Sequence, residues 1–252
     1  MPNALSIVGL GPGDPSLLPP LAHSALSYAR TLVGYTSYIA LLPLDLTQGK
    51  VIKTTGMRAE RERVLLAIES AASGVPTALV TSGDPGIYAM ASLVLECLRE
   101  KDLLSLDLAI IPGIPALAAA AARLGAPLGH DFASVSLSDL LTPWERIEER
   151  IRAALAADFV LVIYNPRSHG RPDHMHKVLS IARTFRSADC PIGLVRNAYR
   201  KDEEILLCTL ARVPVETIDM RTTVIVGSST TCIAGPYMLT PRGYKPFATL
   251  PF

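Results

Sequence analysis

Cysteine is scarce in this sequence, and the four that occur lie far apart. Cys97, Cys190, Cys208 and Cys232 form no C-x-x-C pair in a chain of 252 residues. Zinc sites and the disulfide frameworks of small secreted domains need cysteines at short, regular spacing. The sequence therefore predicts no metal site and no disulfide framework, and the cytosol is the expected compartment.

An excess of charge of either sign is also absent. Lys and Arg total 24 and Asp and Glu total 23, which gives a formal net charge of +1. Proteins held on nucleic acid or on anionic membranes by bulk charge are strongly basic. We therefore expect no nucleic-acid partner and no membrane partner, and we expect particular arginine residues to bind any anionic ligand.

The sequence has no long apolar run. The uncharged stretch from Thr222 to Pro241 has the length of a membrane span, about 20 residues, but it is rich in Thr, Ser, Gly and Pro. A strand followed by a turn is the better interpretation. The N-terminal residues lack the basic start of a signal peptide, so none is predicted.

Apolar residues are nevertheless abundant, and short strands alternate with helices. Hydrophobic residues make up 49% of the chain and charged residues 19%, which excludes disorder and provides a sizeable core. We predict an α/β fold of two α/β domains, residues 1–124 and 132–252, with a linker at 125–131 and an active-site cleft between the domains. Predicted helices include 58–72, 87–100 and 115–123 in the first domain and 143–156 and 174–186 in the second.

Three predicted strands of the first domain end in a glycine-containing turn just before a helix. The turns are Gly9–Asp14, Ser82–Gly86 and Pro112–Ala116. Ligands gather at such carboxyl ends in open α/β sheets. The first turn lacks the spacing of a dinucleotide fingerprint and has no acid about 20 residues further on, and no Gly-Lys-Ser/Thr follows as in a P-loop. A tight turn without a ligand is the alternative for each one taken alone.

Taken together, the motifs carry a family resemblance. GLGPGDP, SGDPGIY, PGIPA, LGAPLGHDF, YNPRS and TTVIVG, in that order, resemble the tetrapyrrole methylase superfamily from Val8 to about Gly243. The resemblance implies S-adenosylmethionine as methyl donor and a small-molecule tetrapyrrole as substrate. The segment Leu128–Glu145 resembles the branch that methylates C17 of precorrin-3B and contracts its ring, or acts on cobalt-factor III in the cobalt-early pathway. Homodimers are usual in this family.

The resemblance also implies a set of cofactor contacts. These are Pro12, Ser82, Gly83, Asp84, Ile87, Pro115, Ala116, Asn165, Ala198 and, more weakly, Thr223. The position of Pro115 usually carries Thr or Ser, so a hydroxyl contact is lost there. Tyr35 stands where related uroporphyrinogen methylases have an acid, and that base is not carried over. Asp84 has an alternative role as a cap for the helix that follows.

Ring contraction calls for a base near a substrate hydroxyl. His130 and Asp131 are the candidate catalytic residues, because they lie at the inferred hinge between the domains. The alternative is that His130 is a polar loop residue and that Asp131 braces the linker. Ser136, Ser138 and Asp139 are candidate substrate contacts, and a role as a local turn acceptor is the alternative for Asp139. An exposed helix start is the interpretation for His174 and His176, and His169 belongs to no ligand motif.

The carboxylates of a tetrapyrrole call for arginine partners, and a solvated surface position is the alternative for each arginine. The candidates are Arg58, Arg61, Arg63, Arg167, Arg171, Arg196 and Arg200. Three other functions stay open: a tetrapyrrole methylase acting at another carbon, a non-catalytic module that binds S-adenosylmethionine, and an RNA-modifying relative, to which the net charge gives no support.

Overall fold

A computed structural model describes residues 3–168 and 170–244 of the chain. The chain forms two compact units, which meet in the sequence between Ala116 and Leu117. His169 lies outside the described residues. Within the described part, no helix is long and apolar enough to cross a membrane. The four cysteines are free.

The first unit is built on a five-stranded parallel sheet. The strands are β1 Leu5–Gly9, β2 Thr31–Tyr35, β3 Val51–Thr55, β4 Thr77–Thr81 and β5 Leu108–Ile111. Their order across the sheet is β3-β2-β4-β1-β5. Every residue of β1 and β4 is buried, as expected for central strands of a parallel sheet that is covered on both faces.

Helices cover both faces of this sheet. They are α1 Pro20–Tyr28, α2 Thr36–Ile39, α3 Leu44–Thr47, α4 Glu60–Ala72 and α5 Ala91–Glu100. The apolar residues of α4 and α5 pack on one face with Leu5, Ile7 and Leu79. The residues of α1 pack on the other face with Val8 and Val80. This division follows from strand geometry, because successive side chains point to opposite faces.

The second unit contains a mixed sheet in the order β10-β9-β11-β8-β7 and a small sheet in the order β12-β13-β6. The strands are β6 Gly125–Ala126, β7 Phe132–Ser136, β8 Val160–Tyr164, β9 Pro191–Arg196, β10 Glu204–Thr209, β11 Thr222–Val226, β12 Cys232–Ala234 and β13 Tyr237–Leu239. The helices are α6 Ala116–Leu124, α7 Trp144–Ala156 and α8 His174–Ala182. α7 and α8 cover one face of the larger sheet, and α6 covers the other.

Two features differ from the predictions. The prediction assigns the Ala-rich helix α6 to the first domain, but its buried residues Ala120 and Leu124 pack against Val162 and Ile225 of the second unit. The predicted linker at 125–131 begins with β6, which pairs with β13. The boundaries of the two domains stay a prediction, and the two compact units divide earlier in the chain.

Candidate active site

The three glycine turns of the first unit lie side by side. Their strands, β4, β1 and β5, are neighbours in a parallel sheet, so the carboxyl ends lie at the same edge. Two of the turns are joined by reciprocal backbone hydrogen bonds. The Gly11 N–H donates to the Gly83 carbonyl at 3.1 Å, and the Gly83 N–H donates to the Gly11 carbonyl at 2.8 Å.

Close backbone contact explains two of the glycines. A Cβ on Gly9 would lie 2.6 Å from the Gly83 carbonyl oxygen, and a Cβ on Gly113 would lie 2.1 Å from the same atom. Neither distance is sterically possible for a real Cβ. These glycines therefore let the three turns touch, which is a structural role that needs no ligand.

Gly83 is required for a different reason. Its φ of +66° lies in the left-handed region that favours glycine. A Cβ there would lie 3.7 Å from Pro115 Cα and 3.8 Å from Ala116 N, which is ordinary contact. A side chain on Gly83 would therefore contact two predicted cofactor contacts, which are both partly exposed.

Asp84 fixes the geometry of two turns. One carboxylate oxygen accepts a hydrogen bond from Gly86 N at 2.8 Å and the other from Gly113 N at 3.1 Å. The proposed alternative role as a helix cap is wrong, because α5 begins at Ala91 and its N-cap residue is Met90. The predicted helix start at residue 87 fails for a local reason, since Tyr88 has a φ of +52° and cannot continue a right-handed helix.

The predicted contacts of the second unit also gather at one sheet edge. Asn165 follows the carboxyl end of β8, and Ala198 follows that of β9 by two residues. Thr223 lies near the start of the antiparallel strand β11, where it pairs with Val195 of β9. Asn165 has a left-handed φ of +52°, and non-glycine residues in that region cluster at functional sites.

A small polar network surrounds Asn165. The Ser136 hydroxyl oxygen accepts hydrogen bonds from the Asn165 side-chain amide at 2.9 Å and from Ser138 N at 3.2 Å. The Tyr164 hydroxyl oxygen accepts one from Leu117 N at 2.8 Å, which satisfies an otherwise unpaired N–H in the first turn of α6. Tyr164 was not among the predicted residues, although its place beside Asn165 in YNPRS marks it.

The loop after β7 contacts the start of α8. His174 Nε2 lies 3.1 Å from Asp139 Oδ2, and the Trp144 ring packs edge-on against the imidazole at 4.7 Å between centroids. His174 is buried, so the prediction of an exposed helix start is wrong for this residue, whereas His176 is exposed. Burial lowers the pKa of His174, and the nearby Asp139 opposes that shift.

His130 and Asp131 lie at the opposite edge of the second sheet from Asn165. They precede β7, and the carbonyl of Asp131 accepts a hydrogen bond from Val160 at the start of β8. Their side chains are 56% and 74% exposed, and His130 Nδ1 accepts a hydrogen bond from Asp131 N. Their catalytic role stays a prediction that rests on the sequence.

No metal centre emerges around these residues. Across residues 3–168 and 170–244, no three or more His, Cys, Asp or Glu side chains are grouped so that they could hold a metal ion.

Comparison with known proteins decides the family. The model of the tetrapyrrole (corrin/porphyrin) methylases matches residues 4–214. This chain belongs to the tetrapyrrole methylases. The resemblance seen in the sequence is confirmed, and so are the α/β fold and the assignment as a methyltransferase enzyme.

Individual relatives of this tetrapyrrole methylase cover nearly the whole chain. A probable cobalt-factor III C(17)-methyltransferase of Salmonella typhimurium is 48% identical over 95% of this chain and 99% of its own. A precorrin-3B C(17)-methyltransferase of a Sinorhizobium species is 39% identical over 97% and 98%. The crystal structure of the methyltransferase CobJ superposes with a TM-score of 0.90 at 39% identity, covering 94% of this chain and 99% of that one.

Proposed function

We propose that this protein transfers a methyl group to C17 of a trimethylated tetrapyrrole in cobalamin biosynthesis. The observation that carries the proposal is full-length similarity to two relatives that are both named for this carbon. The higher identity to the Salmonella relative, 48% against 39%, favours cobalt-factor III over precorrin-3B. A tetrapyrrole methylase acting at another carbon is the alternative that the experiment must exclude.

We propose S-adenosylmethionine as the methyl donor. The residues present fit it, because Gly83 lies without a side chain next to the partly exposed Pro115 and Ala116, beside two further predicted contacts, Ser82 and Asp84. Pro12 and Ile87 complete the predicted contacts of the first unit. Asn165, Ala198 and Thr223 are the proposed contacts of the second. When bound, S-adenosylmethionine supplies an electrophilic methyl group on a positively charged sulfonium.

The chain's own contribution is positioning. Methyl transfer needs the reacting atoms held about 3–3.5 Å apart and in line, and it needs no protein nucleophile. A carboxylate next to the sulfonium would favour the ground state, because the positive charge is lost in the transition state. Asp14 and Asp84 serve the turns instead, since both accept hydrogen bonds from backbone N–H groups, those of Ser16 and Gly86 among them.

Ring contraction, a homodimeric assembly and a cytoplasmic location belong to the same proposal, supported by the family resemblance and by the cysteine spacing. His130 and Asp131 are the proposed bases. If Asp131 accepts a proton, Asp131→Asn will slow ring contraction and leave affinity for S-adenosylhomocysteine unchanged. Unchanged ring contraction would remove Asp131 from the chemistry.

The decisive experiment supplies the purified protein with S-adenosylmethionine and each trimethylated intermediate, with and without cobalt. Mass spectrometry and NMR then locate the new methyl group. We expect methylation at C17, with cobalt-factor III preferred. A methyl group at another carbon, or no turnover despite binding of S-adenosylhomocysteine, would overturn the proposed function.

A further inference from the structure

Arg63 stands apart from the other buried arginines. Arg63, Arg171 and Arg186 are 5%, 7% and 9% exposed. Arg186 lies 3.1 Å from Asp158, and Arg171 lies 3.8 Å from Asp139. Among the residues that the structure describes, Arg63 has no carboxylate partner, although Glu60 and Glu62 begin the same helix.

The guanidinium of Arg63 is fixed by hydrogen bonds that use only some of its N–H donors. Nε donates to Thr55 Oγ1 at 2.8 Å, and Nη2 donates to the Gly56 carbonyl at 2.7 Å. Within the described part of the chain, the one acceptor near Nη1 is the Met90 sulfur at 4.0 Å, a weak acceptor. The Tyr35 ring lies 5.7 Å from the guanidinium carbon. Arginine has five N–H donors, so the guanidinium is held in one position and still has N–H groups that can bind a ligand.

The position of Arg63 is informative as well. Thr55 and Tyr35 are the last residues of β3 and β2, so the guanidinium lies at the same sheet edge as the glycine turns. Thr81 ends β4, the neighbour of β2, and its buried hydroxyl has no hydrogen-bond partner among the residues that the structure describes. Side chains alternate along β4, so Thr81 shares the face of Thr77, which bonds Ser70 of α4.

A buried charge without a counter-ion is costly, and proteins pair such charges. We propose that Arg63 binds a carboxylate of the tetrapyrrole substrate. Guanidinium and carboxylate match in bidentate geometry. The ligand is the tetrapyrrole and not the methyl donor, because β3 lies two strand spacings, about 10 Å at about 4.8 Å each, from β4, the nearest strand that ends in a glycine turn.

This inference rests on the proposed function, and the test separates the two. Binding of cobalt-factor III is measured by absorption titration, binding of S-adenosylhomocysteine by calorimetry, and C17 methylation on its own. For Arg63→Gln we expect tetrapyrrole affinity to fall tenfold or more, with affinity for S-adenosylhomocysteine unchanged. Arg63→Lys keeps the charge but loses the planar fork, so its loss should be intermediate. The control is Arg99→Gln, an exposed arginine of α5 in the same unit that is not among the candidate substrate contacts.

A ligand-side measurement keeps the proposal testable if the variants unfold. Wild-type protein should bind the tetrapyrrole with its carboxylates converted to amides at least tenfold more weakly. If Arg63→Gln folds, the same conversion should cost it less than it costs wild type. Three results would each overturn the assignment. The amide conversion weakens binding equally in wild type and Arg63→Gln, folded Arg63→Gln binds the tetrapyrrole within twofold of wild type, or the loss of affinity is confined to S-adenosylhomocysteine. Absence of C17 methylation with binding intact would overturn the proposed function alone.

Discussion

At the scale of single residues, Asp84 has a structural role that its sequence motif does not indicate. Its two carboxylate oxygens hold backbone N–H groups of different turns, those of Gly86 and Gly113. An acid in a ligand-binding motif is readily interpreted as a ligand contact. Here its hydrogen bonds first set the shape of the turns, and any contact with the methyl donor comes in addition.

We therefore predict that Asp84→Asn destabilises the protein and weakens cofactor binding together. The amide nitrogen cannot accept a hydrogen bond, so one backbone N–H loses its partner, at a cost of about 1–3 kcal/mol. Urea unfolding and calorimetry with S-adenosylhomocysteine measure the two effects. Asp45→Asn, at an exposed position in α3, is the control. Full stability in Asp84→Asn would show that these hydrogen bonds contribute little.

Substitutions of Gly83 can distinguish backbone strain from the loss of a ligand contact. From the sequence we expect Gly83→Val to fold and to lose cofactor affinity by tenfold or more. The φ of +66° changes that expectation, because a residue with a Cβ costs roughly 1–2 kcal/mol there and a β-branched residue costs more.

Asn tolerates this region, so Gly83→Asn is the better probe. It should unfold near the wild-type temperature and bind S-adenosylhomocysteine at least tenfold more weakly, about 1.4 kcal/mol. Wild-type affinity in a folded Gly83→Asn would place the methyl donor away from this turn.

At the scale of secondary-structure elements, the position of the loop from Leu137 to Pro143 is fixed by a contact with α8. Asp139 of this loop meets His174, the first residue of α8, and Trp144, the first residue of α7, packs on the same imidazole. Residues 136–144, within the segment Leu128–Glu145, thus have a structural role in joining β7, α7 and α8. Leu140 and Leu141 of the loop are exposed.

This contact predicts a pH dependence of stability. Burial lowers the pKa of His174 in the folded protein below the unfolded value of about 6.5. Below that value the folded state binds fewer protons than the unfolded chain, so stability falls as the pH falls through about 6.5 toward the folded pKa.

Urea unfolding of wild type and His174→Gln at pH values of about 7.5 and 5.5 measures this effect. The free energy of unfolding should depend less on pH in His174→Gln than in wild type. His176→Gln, two residues further on and exposed, is the control and should keep the wild-type dependence. Equal slopes in wild type and His174→Gln would contradict the prediction.

Much of the order of strands and helices could be predicted from the sequence, because buried strands that end in glycine and amphipathic helices both have recognisable local residue patterns. Edge strand β3 was missed, since Val51 and Ile52 are exposed and its apolar pattern is weak. The sequence groups α6 with the first domain, because an Ala-rich helix does not show which sheet it will cover. The clustering of the glycine turns follows from strand order, but the burial of Arg63 and His174 depends on tertiary contacts that no spacing reveals.

At the scale of the whole molecule, a net charge of +1 offers no general field to attract a polycarboxylate. Recognition then depends on individual arginines, and contacts made by buried groups are screened less by salt than those of exposed ones. We predict that raising ionic strength from about 0.1 to about 1 M, which shortens the Debye length from about 10 to about 3 Å, raises the KM for the tetrapyrrole by less than about threefold. Steady-state kinetics at fixed S-adenosylmethionine measures it. A tenfold rise would point to long-range attraction.

The strand order of the first unit also has a consequence for biosynthesis. Within this unit β1 is synthesised before β4 and β5, which are its neighbours in the sheet, so Leu5 can pair only after Thr77 and Leu108 have been made. Pairings between residues so distant in sequence form slowly, and an unpaired apolar strand in a nascent chain is prone to aggregation. The edge that carries the glycine turns is therefore completed only after residue 111 has left the ribosome, because β5 is the last of its three strands in the sequence.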